Sequence, residues 1–486
     1  MAAPLGFLEE TRIGLRSLAD RMEDLARPTF RLGVTGLARS GKTVFTTALI
    51  QALVHGGRLP VFEAMASGRI ATARLEPQPD DAVPRFPFED HMARLCGARA
   101  WPASTTRISQ LRLRLRYASK RGGQHTLTLD LVDYPGEWLL DLPLLNQSFV
   151  EFSRESLALA RAPARRALAA EMLGTLAALN PLLPADESKA RELASRFTAY
   201  LAACRTEKVA MSLLPPGRFL MPGDLEGSPA LTFAPLDLPS DGRIPAGSMA
   251  AMMERRFQAY KSAVVRPFFR DHFARLDAQI VLVDLLSALN AGPAALADLE
   301  RALDTILLAF RVGRNTLLST LLRPRIEKVL FAATKADHLH HASHDRLEAV
   351  LRRLVERAGA RTKESGAKLD VVALAAIRAT REAQVSRQSG SLPAIIGTPE
   401  AGQSAGGRVF DGTEDVALFP GELPPTPDLF FSGRPDAFQG LSGGDAADAD
   451  FRFLKFRPPP GLTPASPVPH IRLDRALQFL LGDRLA

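Results

Sequence analysis

Gly36, Gly41, Lys42 and Thr43 are spaced as G-x-x-x-x-G-K-[ST], in the run Gly36-Leu37-Ala38-Arg39-Ser40-Gly41-Lys42-Thr43. Glycines at this spacing let the backbone curl into a ring of N–H donors, which suits a phosphate group at the start of a helix. Lys42 then offers a compact cation to β- and γ-phosphate oxygens, and Thr43 offers a hydroxyl to Mg²⁺. Ala38, Arg39, Ser40, Gly41 and Val44 complete the expected cradle. Arg39 either adds charge toward the phosphates or faces solvent, and the spacing does not decide which. A glycine-rich turn before a surface lysine would spell the same letters. The apolar run 30–34 before the motif and the helical run after it give the strand–turn–helix context that a phosphate loop needs.

Three further groups could act on the same ligand. Asp133 ends an alternating apolar run and is followed by Tyr134-Pro135-Gly136-Glu137. A carboxylate there can hold a Mg²⁺-bound water, and the Gly136 N–H can reach a γ-phosphate. A lone D-x-x-G is usually a chance turn; its place after a strand downstream of a phosphate loop gives it meaning. In Trp101-Pro102-Ala103-Ser104-Thr105-Thr106-Arg107, a loop threonine can meet the metal and sense the γ-phosphate. Thr105 is the first choice and Thr106 the second, with a plain Ser/Thr turn as the alternative. Finally, Thr334-Lys335-Ala336-Asp337 ends another apolar run. Asp337 can accept from guanine N1–H and the 2-amino group, a donor pair adenine lacks, while the Lys335 stem covers the base plane. The small residues of Ala375-Ala376-Ile377 would let a backbone N–H approach the base oxygen. His338, His340, His341 and His344 fit no standard zinc spacing and are expected to be solvated loop histidines.

Elements that could position these residues are legible around them. Leu111, Leu113 and Leu115 alternate with Arg112, Arg114 and Arg116. After Gly122-Gly123 come Leu127, Leu129 and Leu131, so the spacing predicts an antiparallel hairpin. The arginine row is expected to be a solvated face rather than a partner surface. Run 279–286 reads as a strand buried on both faces, and runs 328–333 and 369–374 follow as further apolar runs. Residues 5–26 read as an amphipathic helix that packs against the adjoining domain or lies on a membrane surface. Residues 56–102 read as a long connector. Helices are expected over 42–54, 294–321 and 344–358. Between them lie Ala/Leu-rich helices over 147–178 and 186–205, a Pro/Gly loop over 207–246 and a helix over 247–273 interrupted at Pro267. From 383 to 472 the composition turns to Gly, Pro and Ser with short apolar strands (LPAIIG, GRVF, VALF, FRFLKF), and 473–485 closes as an amphipathic helix.

Length implies about three domains. The expected division is an N-terminal helix 1–27, a nucleotide-binding domain 28–137 and 276–382, an inserted all-α domain 138–275, and a C-terminal β-rich appendage 383–486. With 46% hydrophobic and 23% charged residues the composition is globular. A net charge of +8 without a block of like charges reads as dispersed surface, so no nucleic acid is expected. Cys96 and Cys204 read as reduced thiols. No run of eighteen apolar residues and no signal-peptide core is visible. A cytoplasmic protein is expected, with peripheral membrane contact left open.

In order and character these elements resemble a Ras-like GTPase set, and more closely the YcjX-like stress proteins of bacteria. The carrying residues are GLARSGKT, the WPxST stretch before RLRLRY, DYPGEWLLDLPLL, the long helical insertion, TKAD, FPGELP and HIRLDRALQFLLGDRL. The resemblance implies a Ras-like P-loop NTPase three-layer α/β sandwich, with the helical insertion and the β-rich appendage added to it. It also implies GTP/GDP and Mg²⁺ as ligands, a stress-related role, and an unidentified protein partner or activator reached through the insertion and switch loops. The expected catalytic residues are Lys42, Thr105, Gly136 and Glu137, and Thr43, Thr105 and Asp133 organise the metal. Two departures matter. Thr334 replaces the usual Asn, and Glu137 stands where many relatives place a water-orienting Gln. An added negative charge beside the γ-phosphate implies slow turnover. A nucleotide-gated binding module with incidental hydrolysis is the second expectation. An ATP-dependent kinase would leave Asp337 without a role.

Overall fold

The computed structural model describes residues 29–78, 80–206, 208–239, 244–310, 326–359, 367–387, 390–405, 407–432, 438 and 453–486. The expected helix over 5–26 and the end of the one expected over 294–321 lie outside them. At the centre is a seven-stranded sheet of β1 (Thr29–Gly36), β2 (Ile70–Glu76), β3 (Ser109–Ala118), β4 (Gln124–Asp133), β5 (Ala278–Val283), β6 (Lys328–Ala333) and β7 (Lys368–Ala373). The strand order is β2-β3-β4-β1-β5-β6-β7. From β4 to β7 every pairing is parallel, while β2 and β3 run antiparallel at one edge.

Sequence dictates this layering. All six residues of β5 and all six of β6 are buried, as uninterrupted apolar strands between two helical layers must be. Strand alternation sends Ile280 and Leu282 into one core and Val281 and Val283 into the other. The first core is covered by α1 (Lys42–Val54), α2 (Phe88–Gly97) and, from the far end of the chain, α8 (Leu473–Leu481). The second lies under α6 (Pro293–Ala309) and α7 (His344–Gly359).

Between β4 and β5 the chain is helical, with α3 (Phe149–Arg161), α4 (Glu187–Cys204) and α5 (Met249–Tyr260) as its longest pieces. Its aromatic residues, Phe152, Phe197, Phe233 and Phe257 among them, join the second core without a break. The segment therefore extends one face of the sheet. The interruption expected at Pro267 lies one turn earlier: α5 widens into a π-turn over Lys261–Val265 and resumes at Arg266–Asp271, so the proline sits in a first turn where its missing N–H costs nothing.

Three sequence expectations need correction. The 56–102 connector contains Glu63–Ala66, β2 and α2; β2 is a half-exposed edge strand, whose weak alternation hides it. The arginine row is not simply solvated: Arg112 makes a two-point ion pair with Asp130 across the hairpin (2.6 and 2.7 Å), and Arg114 lies 3.1 Å from Glu76. In the C-terminal stretch, β8 (Arg381–Arg387), β9 (Gly390–Gly397) and β12 (Val416–Leu418) form an antiparallel sheet, with a small ladder β10 (Ser404–Ala405) and β11 (Arg408–Val409) beside it. The described part of FRFLKF forms no strand and makes one isolated bridge, Pro399–Phe456, to the rest of the stretch.

Candidate functional site

The carboxyl ends of the parallel strands carry nearly all the chemistry-bearing residues, as expected for ligand sites in open α/β sheets. The phosphate-loop motif follows β1, Asp133 ends β4, Asp284 follows β5, Thr334 follows β6 and Ala375 follows β7. The loops after β1, β6 and β7 open on one cavity of about 250 Å³, with Asp133 hydrogen-bonded to its wall residue Thr105 and Asp284 to its wall residue Lys335. Its wall takes Arg39 to Val44 from the phosphate loop, Trp101 to Thr105 from the loop before β3, Thr334, Lys335 and Asp337 after β6, and Ala375 to Ile377 after β7.

Local geometry explains why glycine is needed twice in the first loop. A Cβ on Gly36 would stand 2.3 Å from Ser40 Oγ and 2.6 Å from the Leu282 carbonyl, and Gly41 has a φ of 77°. Gly136 is held just as tightly, since its Cβ would fall 2.3 Å from the Gly36 carbonyl oxygen. The Lys42 ammonium donates to that same Gly36 carbonyl at 2.8 Å.

Beside it runs a hydrogen-bonded chain of the three expected metal-organising residues. The Thr43 and Thr105 hydroxyls are 3.0 Å apart, and Thr105 donates to Asp133 Oδ2 at 2.8 Å. Asp133 is fully buried, and its Oδ1 has no hydrogen-bond partner. Burial pushes its carboxyl up to about 6, against the opposing Thr105 hydrogen bond and Lys42 charge. A buried carboxylate oxygen without a partner, flanked by two hydroxyls, is a hard-oxygen donor set that fits Mg²⁺. Thr105, not the exposed Thr106, is the residue brought into it.

At the opposite end Asp337 is buried, and its Oδ2 accepts from the Ala379 N–H at 2.7 Å; the Thr380 hydroxyl donates to its carbonyl. The first bond anchors one carboxylate oxygen and the second the main chain that carries it. Lys335, at a φ of 62°, donates to Asp284 Oδ2 at 2.6 Å. Burial would raise the Asp284 carboxyl, but the Lys335 charge and hydrogen bond outweigh it and hold it below the ordinary value. The Ala375 N–H is spent on the Ile471 carbonyl, so a base oxygen would have to be met by Ala376 or Ile377.

Several expected residues fall elsewhere. Glu137 is buried outside the cavity wall, with Arg205 of the helical segment 3.0 Å from one carboxylate oxygen. Gly217 packs on its backbone so closely that a Cβ there would stand 2.1 Å from the Glu137 carbonyl oxygen. Arg39 stays on the cavity wall, with its guanidinium donating to the Arg205 carbonyl. Ala38 lines a smaller neighbouring cavity with Met211 and Ser212. Of the four histidines expected in solvent, His338 and His344 are buried: the first packs edge-on against Phe456 at 5.3 Å, and the second lies 3.2 Å from the Leu339 carbonyl.

Sequence reasoning missed one wall entirely. Glu400, Lys455 and Phe456 line the same cavity, and the Trp101 indole donates to the Phe456 carbonyl at 2.6 Å. Arg99 donates to Thr398 Oγ1 at 3.1 Å, and Arg457 donates back to the Ala98 and Arg99 carbonyls. The only signal was the apolar–basic alternation in FRFLKF, which says nothing about a ligand.

A central, mostly parallel sheet with a glycine-rich loop at the head of a helix is compatible with the P-loop NTPase class. Comparison with known proteins is more specific: the model of the YcjX-like family, DUF463, matches residues 30–485, and the chain belongs to that family. It is similar to the Ras-like GTPase YcjX of Escherichia coli (strain K12), at 37% identity over 94% of this chain and 96% of that protein. It is also similar to the Ras-like GTPase YcjX of Shewanella oneidensis, at 33% identity over 97% and 99% of the two chains. Among the described residues no helix is long and apolar enough to cross a membrane.

Proposed function

We propose that the chain is a Mg²⁺-dependent GTPase that converts GTP and water to GDP and phosphate slowly, serving as a stress-related switch. The observation that carries this reading is one cavity walled by Thr43, Thr105 and Asp337, with Asp133 hydrogen-bonded to Thr105 behind the wall. The names of both relatives support it.

In this reading the loop amides and Lys42 bind the phosphates, the Lys42 ammonium exchanging the Gly36 carbonyl for phosphate oxygens. Thr43, Thr105 and Asp133 would hold Mg²⁺, which when bound neutralises charge developing on the phosphates. Asp337 selects guanine through its N1–H and 2-amino group, the Lys335 stem covers the base, and Ala376 or Ile377 meets the base oxygen. The Gly136 N–H meets the γ-phosphate, so nucleotide state is read by the loop that begins the helical segment. A partner or activator would engage that segment and the two loops.

The pairing of Glu137 with Arg205 favours keeping the second reading alive. With its carboxylate held by Arg205 outside the cavity wall, Glu137 is not poised to orient water, as a nucleotide-gated binding module would tolerate. Single-turnover hydrolysis without a partner is therefore expected well below about 1 s⁻¹. The decisive test titrates nucleotide-stripped protein with fluorescent GDP and ADP in Mg²⁺, alongside Asp337→Ala. Guanine-selective binding that disappears in the variant is expected; equal binding of both nucleotides by the wild type would leave only a generic phosphate-loop NTPase.

A further inference from the structure

Just beyond the base end of the cavity, His340, His341 and Glu382 place one ligand atom each within 4.8 Å of one another. His341 Nδ1 stands 2.8 Å from Glu382 Oε2, and the two imidazole centres are 4.2 Å apart at 40°. Successive side chains in extended backbone point to opposite sides; here the turn over His341–Ser343 brings the two rings together. His340 Nδ1 accepts, at 3.4 Å, from the Ala342 N–H, which leaves its Nε2 for a ligand bond. Arg378 lies 3.5 Å from Glu382 Oε1, orienting the carboxylate from behind.

We propose that His340, His341 and Glu382 bind a divalent transition-metal ion of the zinc class, with water in the fourth position. Two imidazoles and one carboxylate suit Zn²⁺ and its neighbours, whereas Mg²⁺ wants an octahedron of oxygens. Zinc bonds near 2.0–2.2 Å need tetrahedral donor separations of roughly 3.4 Å, within reach of side-chain rotation from the present arrangement. A surface histidine–carboxylate hydrogen bond would explain the 2.8 Å contact alone. It would not explain the second imidazole, which a shared ion does.

The ion would join two segments that already meet at Asp337. His340 follows Asp337 by three residues, and Glu382 lies two residues beyond Thr380, whose hydroxyl donates to the Asp337 carbonyl. A second tie there would stiffen the guanine-selecting carboxylate. That consequence rests on the GTPase reading, but metal binding does not.

The test uses tag-free, full-length protein near neutral pH and a chromophoric chelator competing for Zn²⁺, without nucleotide. Wild type is expected to take one equivalent at roughly 1 μM or tighter. Glu382→Gln should bind roughly tenfold more weakly or worse, and the double variant His340→Ala/His341→Ala should lose that equivalent. His341 and Glu382 are exposed and His340 is partly buried, so far-UV circular dichroism and the thermal midpoint without metal check that each variant folds. No zinc uptake by the wild type, or unchanged uptake by a folded double variant, would overturn the proposal. A failure of guanine selectivity would leave it standing.

Discussion

The two ends of the cavity are built on different principles. At the phosphate end nearly every group comes from a strand or helix that touches β1: the loop after β1, α1 behind it, and Asp133 on β4, whose register pairs it with Val34. The base end is assembled from parts far apart in the chain, including the Trp101–Phe456 hydrogen bond across 355 positions and the Ala375–Ile471 bridge. A site of the first kind is fixed by backbone geometry and survives as a short motif. A site of the second kind depends on tertiary docking, and only its Asp337 carries a recognisable spelling.

The sharpest way to break this contrast is Lys42→Ala. Losing hydrogen bonds between opposite charges costs about 3 kcal/mol, so GDP should bind roughly 100-fold more weakly in equilibrium titration. The loss should be the same for pyrophosphate and for nucleotides of either base. Asp337→Ala should act at the other end. Guanine-over-adenine preference should fall by roughly 10- to 100-fold while pyrophosphate affinity holds, from two lost hydrogen bonds to a carboxylate. Because it also strips Ala379 of its acceptor, the variant should unfold at lower urea.

Acidity separates the ends in a third way. The Asp133 carboxyl, pushed up to about 6, is charged at a cost in the metal-free fold. Its stabilising contribution is complete below the ordinary carboxylate value of about 4 and is lost as pH rises through 6. Mg²⁺ needs the ionised form. Mg²⁺ affinity should therefore be roughly tenfold weaker at about pH 5 than at about pH 7, with proton release measurable by calorimetry in buffers of different ionisation heat. Asp133→Asn should flatten this profile. The smallest effect belongs to the stitching. Trp101→Phe removes one hydrogen bond, worth about 1 kcal/mol, and should speed GDP release about fivefold with pyrophosphate affinity unchanged.

This division also explains what could be read from the chain beforehand. The hairpin of β3 and β4, the buried runs of β5 and β6 and the loop residues at their ends declare themselves by alternation, apolarity and spacing, all local properties. β2 escaped because none of its residues is fully buried at the sheet edge, so its alternation fades. Lys455, Phe456 and Glu400 escaped because nothing local distinguishes a residue that docks on a loop more than 300 positions away. His338 and His344 were misplaced for the same reason: histidine spacing carries no information about the Phe456 ring or the Leu339 carbonyl that bury them. Glu137 was placed by motif position, yet its carboxylate follows the charge of Arg205, supplied by a different part of the chain.

α8 has a consequence for biosynthesis. It lies in the same core as α1; Gln51 of α1 donates to the Pro464 and Ser466 carbonyls, and the Val61 N–H donates to Asp474. A ribosome making roughly 5–20 residues per second needs on the order of 20–90 s to travel from the phosphate loop to this helix. Throughout that interval the first core has α1 and α2 over it but lacks α8, and the cavity lacks its Phe456 wall. Nucleotide capture is thereby deferred until α8 has been made, and until then the nascent chain must keep from aggregating the apolar face that α8 covers.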